Sequence, residues 1–114
     1  MIDIFTAENK IDENGNPTGG SVRGVGLVID WQNGPLGRGD NRQEPNGAFV
    51  ETVIAAAVQR IEAYQASKFK CRENALAITK LEEALHWLNA RTNRREKQGT
   101  EGTHQEDSVI RDNQ

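Results

Sequence analysis

Four cations crowd one short stretch of this chain: Arg91, Arg94, Arg95 and Lys97. A guanidinium group presents paired donors that match the oxygens of a phosphate, so arginines in this density can form an anion site. The competing reading is that they complement the negative end of a helix and keep it soluble. Two further arginines, Arg38 and Arg42, lie in a glycine-rich stretch. Tyr64 combines an aromatic ring with a polar tip, the usual platform for a stacked purine, with core packing as its alternative. Phe69 is expected to pack in a core, and Asn74 lies just beyond it. Together these residues suit a binding site for something flat and phosphorylated, without catalysis.

Other constellations carry less chemistry. Glu83 and His86 form the Glu-x-x-His pattern that di-iron bundles use, but such sites need several more inward carboxylates. The first helical stretch offers only Glu51 and Glu62. A surface ion pair or a hydrogen-bonded histidine is therefore expected, and no metal. There is no Ser/His/Asp arrangement and no phosphate-binding Walker loop. Cys71, the single cysteine, sits between Lys70 and Arg72; as a lone thiol it is read as structural.

The composition narrows the class. Of 114 residues, 35% are hydrophobic and 27% are charged, which is globular but lean in core material. Oligomerisation is a common remedy for that shortage. A net charge of −3 and a pI near 5.4 argue against a protein that coats DNA or RNA. One cysteine excludes an intrachain disulfide and fits a reducing compartment. With no membrane-spanning run and no signal peptide, the expected location is the cytoplasm.

These residues need elements to position them. Met1–Ala7 reads as a short strand, followed by turn signals at Asn14-Gly15 and Gly19-Gly20. Val25, Leu27, Ile29 and Trp31 alternate with Gly24, Gly26, Val28 and Asp30, predicting one half-buried strand over 21–31. The two glycines leave room for another backbone or a ligand. Residues 32–46 lack periodicity and form a long loop, a length that often signals function. From Gly47, Val50, Ile54, Ala57, Ile61 and Tyr64 keep helical spacing with Phe49, Val53 and Val58 beside them, Asn46 as N-cap and Glu51 in the first turn. After a turn at 66–71, Ile78, Leu81, Leu85 and Leu88 line a second helix, with Ala77, Ala84 and Trp87 as an adjacent strip. That helix has two surfaces to bury, and one neighbour covers only one of them. The expected fold is α+β: a short N-terminal antiparallel β-sheet followed by a long antiparallel two-helix hairpin, in an oligomer. It divides into the sheet and Gly/Arg loop (1–46), the hairpin and ligand-site segment (47–104) and a disordered tail (105–114), one compact domain overall.

The ordered blocks Gly24–Gly37, Asn46–Glu51, Cys71–Thr79, Leu81–Thr92 and Glu101–His104 resemble the phage Thoeris anti-defence sponge family, whose hairpin is related to that of the anti-CBASS sponges. The resemblance covers roughly 24–104. It implies a homodimer or homohexamer that binds glycocyclic ADP-ribose, a signal made by bacterial TIR-domain proteins, and holds it without cleaving it in the host bacterial cytoplasm. Some members also hold cyclic di- or trinucleotides at separate sites. By the family pattern, Tyr64 and Asn74 would sandwich the adenine, Arg91 would hold the pyrophosphate, and Arg38 (or Arg42) would add a loop arginine. Arg94 and Thr103 complete the candidate set. Thr100 departs from the pattern, which has an apolar β-branched residue such as Val there. No cofactor, DNA or RNA polymer or membrane is implied. The alternatives are a metal-dependent nucleotide-signal hydrolase and a structural helical interaction module.

Overall fold

A computed structural model describes residues 4–99 and 103–104. The chain divides into two compact units: Val50–Arg94, and the residues up to Phe49 together with those from Arg95 onward.

The non-helical unit holds a three-stranded antiparallel sheet in the order β1-β2-β3, with β1 Phe5–Ile11, β2 Pro17–Gly24 and β3 Leu27–Trp31. The turn after β1 is organised by Asp12. Its Oδ1 accepts the N–H of Asn14 at 2.8 Å and of Asn16 at 2.9 Å, and Gly15 takes the positive φ of +82° that the turn needs. The Asn16 and Asn14 amides favour the ionised carboxyl and hold it below the ordinary aspartate range. A depressed folded value means that this contribution is present above the unfolded pKa and lost as pH falls through the folded one. We expect an NMR titration of the Asp12 carboxyl to show a midpoint below 3.8, the ordinary value. We also expect Asp12→Ala to speed amide exchange at Asn14 and Asn16 at neutral pH; unchanged exchange would contradict this role.

The single strand expected over 21–31 is in fact a hairpin. Gly24 pairs with Leu27, leaving Val25 and Gly26 as a two-residue turn in which Gly26 has φ +72°. Alternation of apolar residues runs straight through the turn, so it hides the break; Val25 is 96% exposed at the tip. The room expected beside Gly24 is taken by backbone: a Cβ there would lie 2.9 Å from the Ile4 carbonyl oxygen.

β3 also makes a parallel bridge from Trp31 to Ala48. Ala48 N–H donates to the Asp30 carbonyl at 2.7 Å, and Gln32 N–H donates to the Ala48 carbonyl at 2.9 Å. Asn46 is not a helix cap. Its Oδ1 accepts the Asn33 N–H at 2.8 Å, its Nδ2 donates to the Asn33 carbonyl at 3.1 Å, and its own N–H donates to Gln32 Oε1 at 2.8 Å. The long loop is thus clamped at its two ends, and the first helix begins later than its spacing suggests.

The helical unit holds α1, Val50–Gln65, and most of α2, Arg72–Gln98. Ala, Leu, Glu and Lys dominate α2 with no glycine or proline, which accounts for its length. It ends at Gly99, whose φ is +76°. On α2 the covered residues include Asn74, Ile78, Leu81, Leu85, Leu88 and Thr92, an unbroken four-three repeat that extends the expected stripe at each end, with Ala77 and Ala84 half-buried beside it. On α1 the stripe is Ile54, Val58, Ile61 and Gln65 rather than one through Ala57 and Tyr64. The face turns toward the bulkier Val58 because alanine has little area to bury.

Cover is thin throughout. Among the described residues Val58, at 8% exposure, is the buried apolar side chain, while Leu76 is 46% and Trp87 73% exposed. Of the expected second strip, Ala77 and Ala84 are half-buried while Trp87 lies open. No helix among the described residues is long and apolar enough to cross a membrane. The tail expected over 105–114 lies outside the described residues.

Candidate functional site

Tyr64 stands in the last turn of α1 and Asn74 in the first turn of α2, so the two flank one short connection. That connection is held by its own side chains. Gln65 Nε2 donates to the Cys71 carbonyl at 3.0 Å, and Gln65 Oε1 accepts the Cys71 N–H at 2.9 Å. Ser67 Oγ donates to the Tyr64 carbonyl at 2.5 Å and accepts the Phe69 N–H at 3.0 Å. A tip pinned this way presents its rings without further ordering cost. Tyr64 is 42% exposed, and the Arg60 guanidinium lies 4.9 Å from its ring centroid. Arg60 Nε donates to the phenol oxygen at 3.2 Å.

Phe69 does not pack in a core. It is 68% exposed, with Lys68 Nζ 5.2 Å from its ring centroid. A six-residue connection between two helices has no interior in which to bury it. The contact of Arg60 with Tyr64 was not legible from charge alone; the signal was its position four residues before Tyr64, one helical turn away on the same face.

The helix-end arginines differ from one another. Arg91 is exposed, Arg94 is half-buried and Arg95 is buried at 8%. Arg95 Nη2 donates to the Thr103 carbonyl at 3.1 Å, so this side chain holds the Thr103 backbone. The Thr103 backbone is held in turn, which gives Thr103 a fixed position in its unit. Arg91 and Asn74 are seventeen residues apart on α2. At ~1.5 Å per residue that is roughly 25 Å, farther than one compact small molecule can bridge on a single copy.

Arg38 and Arg42 belong to the other unit, in the loop after β3. A single 3-10 turn, Gly39–Asn41, separates them, and the Gln43 N–H donates to the Leu36 carbonyl at 2.7 Å to close the loop around both. Arg42 Nη1 donates to the Gly37 carbonyl at 3.3 Å. Two arginines are thus carried by one small closed loop. Elsewhere, Glu83 lies 3.9 Å from Lys80 Nζ, the surface ion pair expected, and Cys71 is exposed. Among the described residues no cluster of three or more His, Cys, Asp or Glu could hold a metal.

Comparison with known proteins gives this arrangement a setting. The model of the family described as Acb2/Tad1, hairpin domain, matches residues 24–93. The chain is also 49% identical over 78 residues to a Bacillus phage SBSphiJ7 protein named Thoeris anti-defense 1. That alignment covers 68% of this chain and 52% of the relative, so the chain spans about half the length of the protein it matches.

Proposed function

Since the chain belongs to the Acb2/Tad1 hairpin family, we propose that it is a phage anti-defence protein that binds glycocyclic ADP-ribose and withholds it, uncleaved, from Thoeris immunity. It acts as a homo-oligomer in the host bacterial cytoplasm, and cyclic di- or trinucleotides are further ligands at separate sites. The observation that carries the reading is a divided set of groups: exposed Tyr64 at the end of α1 with Asn74 at the start of α2, and Arg91 seventeen residues farther along α2. The ring and the amide suit a purine, and the guanidinium suits a pyrophosphate.

The distance between the two groups makes a second copy part of the site. Two α2 helices packed antiparallel about a two-fold axis bring the Asn74 end of each against the Arg91 end of the other. In the same register Leu76 of each copy lies near Trp87 of the other. These two residues are among the exposed apolar ones on α2. Covering a ring of that size contributes on the order of 3 kcal/mol. Such an oligomer supplies the cover that the monomer lacks and preorganises the pocket at once. A doubly phosphorylated ligand needs few cations, so a chain of net charge −3 can hold it locally.

Retention tests the proposal. The protein, mixed with glycocyclic ADP-ribose and cleared of unbound nucleotide by filtration, is expected to keep about one ligand per subunit, counted as two composite sites per two-fold pair. A protein that keeps none contradicts it.

A further inference from the structure

The binding reading names Tyr64 as the ring that stacks on the base, but an exposed ring has two faces. In this structure they are not equivalent. Arg60 lies over one, 4.9 Å from the centroid, and is tied to the same residue by its Nε–H bond to the phenol oxygen at 3.2 Å. The residue is nevertheless 42% exposed. We infer that Arg60 is a positioning residue that makes Tyr64 a one-sided platform, covering one face and leaving the other for a purine base.

Two consequences follow from the chemistry of the pair. A phenol has one proton to give and lone pairs to receive with. Because its oxygen accepts from Arg60, the hydroxyl proton is left to donate away from the guanidinium, toward a ring nitrogen or phosphate oxygen of the ligand. The tie also restricts the ring, since the charge–quadrupole contact and the hydrogen bond favour one orientation. Stacking on a ring already held there loses less conformational freedom on binding. The terminal amino groups of Arg60 have no hydrogen-bond partner among the described residues, so binding at this end of the ring breaks no existing bond of theirs.

The inference rests on the binding reading, and calorimetric titration with glycocyclic ADP-ribose separates the two. Arg60→Ala is expected to weaken binding about tenfold in the wild-type background, a loss within the range of one desolvated cation–ring contact. Alanine favours helix, so circular dichroism should be unchanged. Arg60→Lys, which keeps a cation over the ring but not the Nε–H donor, is expected to fall between the two. In a Tyr64→Phe background, where the hydroxyl is gone, Arg60→Ala is expected to lose distinctly less. Unchanged affinity in Arg60→Ala, with Tyr64→Ala losing binding, overturns this inference and leaves the binding reading intact. An equal loss in both backgrounds overturns the tie through the phenol, because Arg60 would then act without the Tyr64 hydroxyl. A wild-type protein that binds no ligand removes both.

Discussion

Mixed and reassembled in equal amounts, Asn74→Ala and Arg91→Ala proteins are expected to regain binding of glycocyclic ADP-ribose that neither shows alone. Each single variant should lose at least ~100-fold in affinity, because a lost charge-assisted pair of hydrogen bonds costs about 3 kcal/mol or more and the base loses its facing amide. The recovery follows from the length of α2. Asn74 and Arg91 lie too far apart on α2 to serve one ligand on one copy, so in the proposed pair each site takes one residue from each of two copies. In a mixed pair, one site carries both substitutions and the other carries none. Random reassembly makes half of the pairs mixed, so the recovered capacity is about a quarter of wild type, at wild-type affinity. If each copy held a complete site, mixing would recover nothing. Arg91→Lys is expected to weaken binding as well, since an ammonium lacks the paired donors.

The second large effect concerns Gly47, which leads into the helical unit. A Cβ at this position would lie 2.5 Å from the Trp31 carbonyl oxygen and 2.7 Å from the Asp30 oxygen. Both contacts are backbone, which cannot rotate away. Gly47→Ala must therefore push the 46–48 segment from β3 and lengthen the bonds that Ala48 makes to Asp30 and Gln32. Overpacking of this kind costs about 1–3 kcal/mol, or roughly 10 °C in melting temperature for a small domain. The bridge also closes the base of the loop that carries Arg38 and Arg42, so amide exchange across 36–43 is expected to accelerate. A Gly47→Ala protein with wild-type melting and exchange would mean that the close approach is not needed.

The helices were legible in the sequence because their stripes repeat for many turns and no glycine or proline interrupts them. Ile78, Leu81, Leu85 and Leu88 line the face expected of them. The sheet was harder to read. Val25 carries the apolar alternation into a turn, and only Gly26 betrays it. Asn46 has the residue type of a helix cap, but its side chain finds Asn33, a partner thirteen residues earlier, which local pattern cannot reveal. For the candidate site, residue type alone nominated Tyr64 and the arginines. It could not separate exposed Arg91 from buried Arg95, because both lie in the same run of charge and differ only in which side of the helix they take. Arg60 looked like one more surface cation until the structure put it over the Tyr64 ring. The division of Asn74 from Arg91 is plain arithmetic on the helix, and it matters only once the two are assigned to one ligand.

The central claim is that the protein withholds a signal without destroying it, and the identity of what it releases tests that most directly. Protein loaded with glycocyclic ADP-ribose and cleared of unbound nucleotide is held for hours, denatured by heat, and the supernatant separated by chromatography. The account predicts the intact cyclic nucleotide, recovered in the amount that was bound. Linear or hydrolysed product, increasing with the time of incubation, would contradict it and identify an enzyme instead.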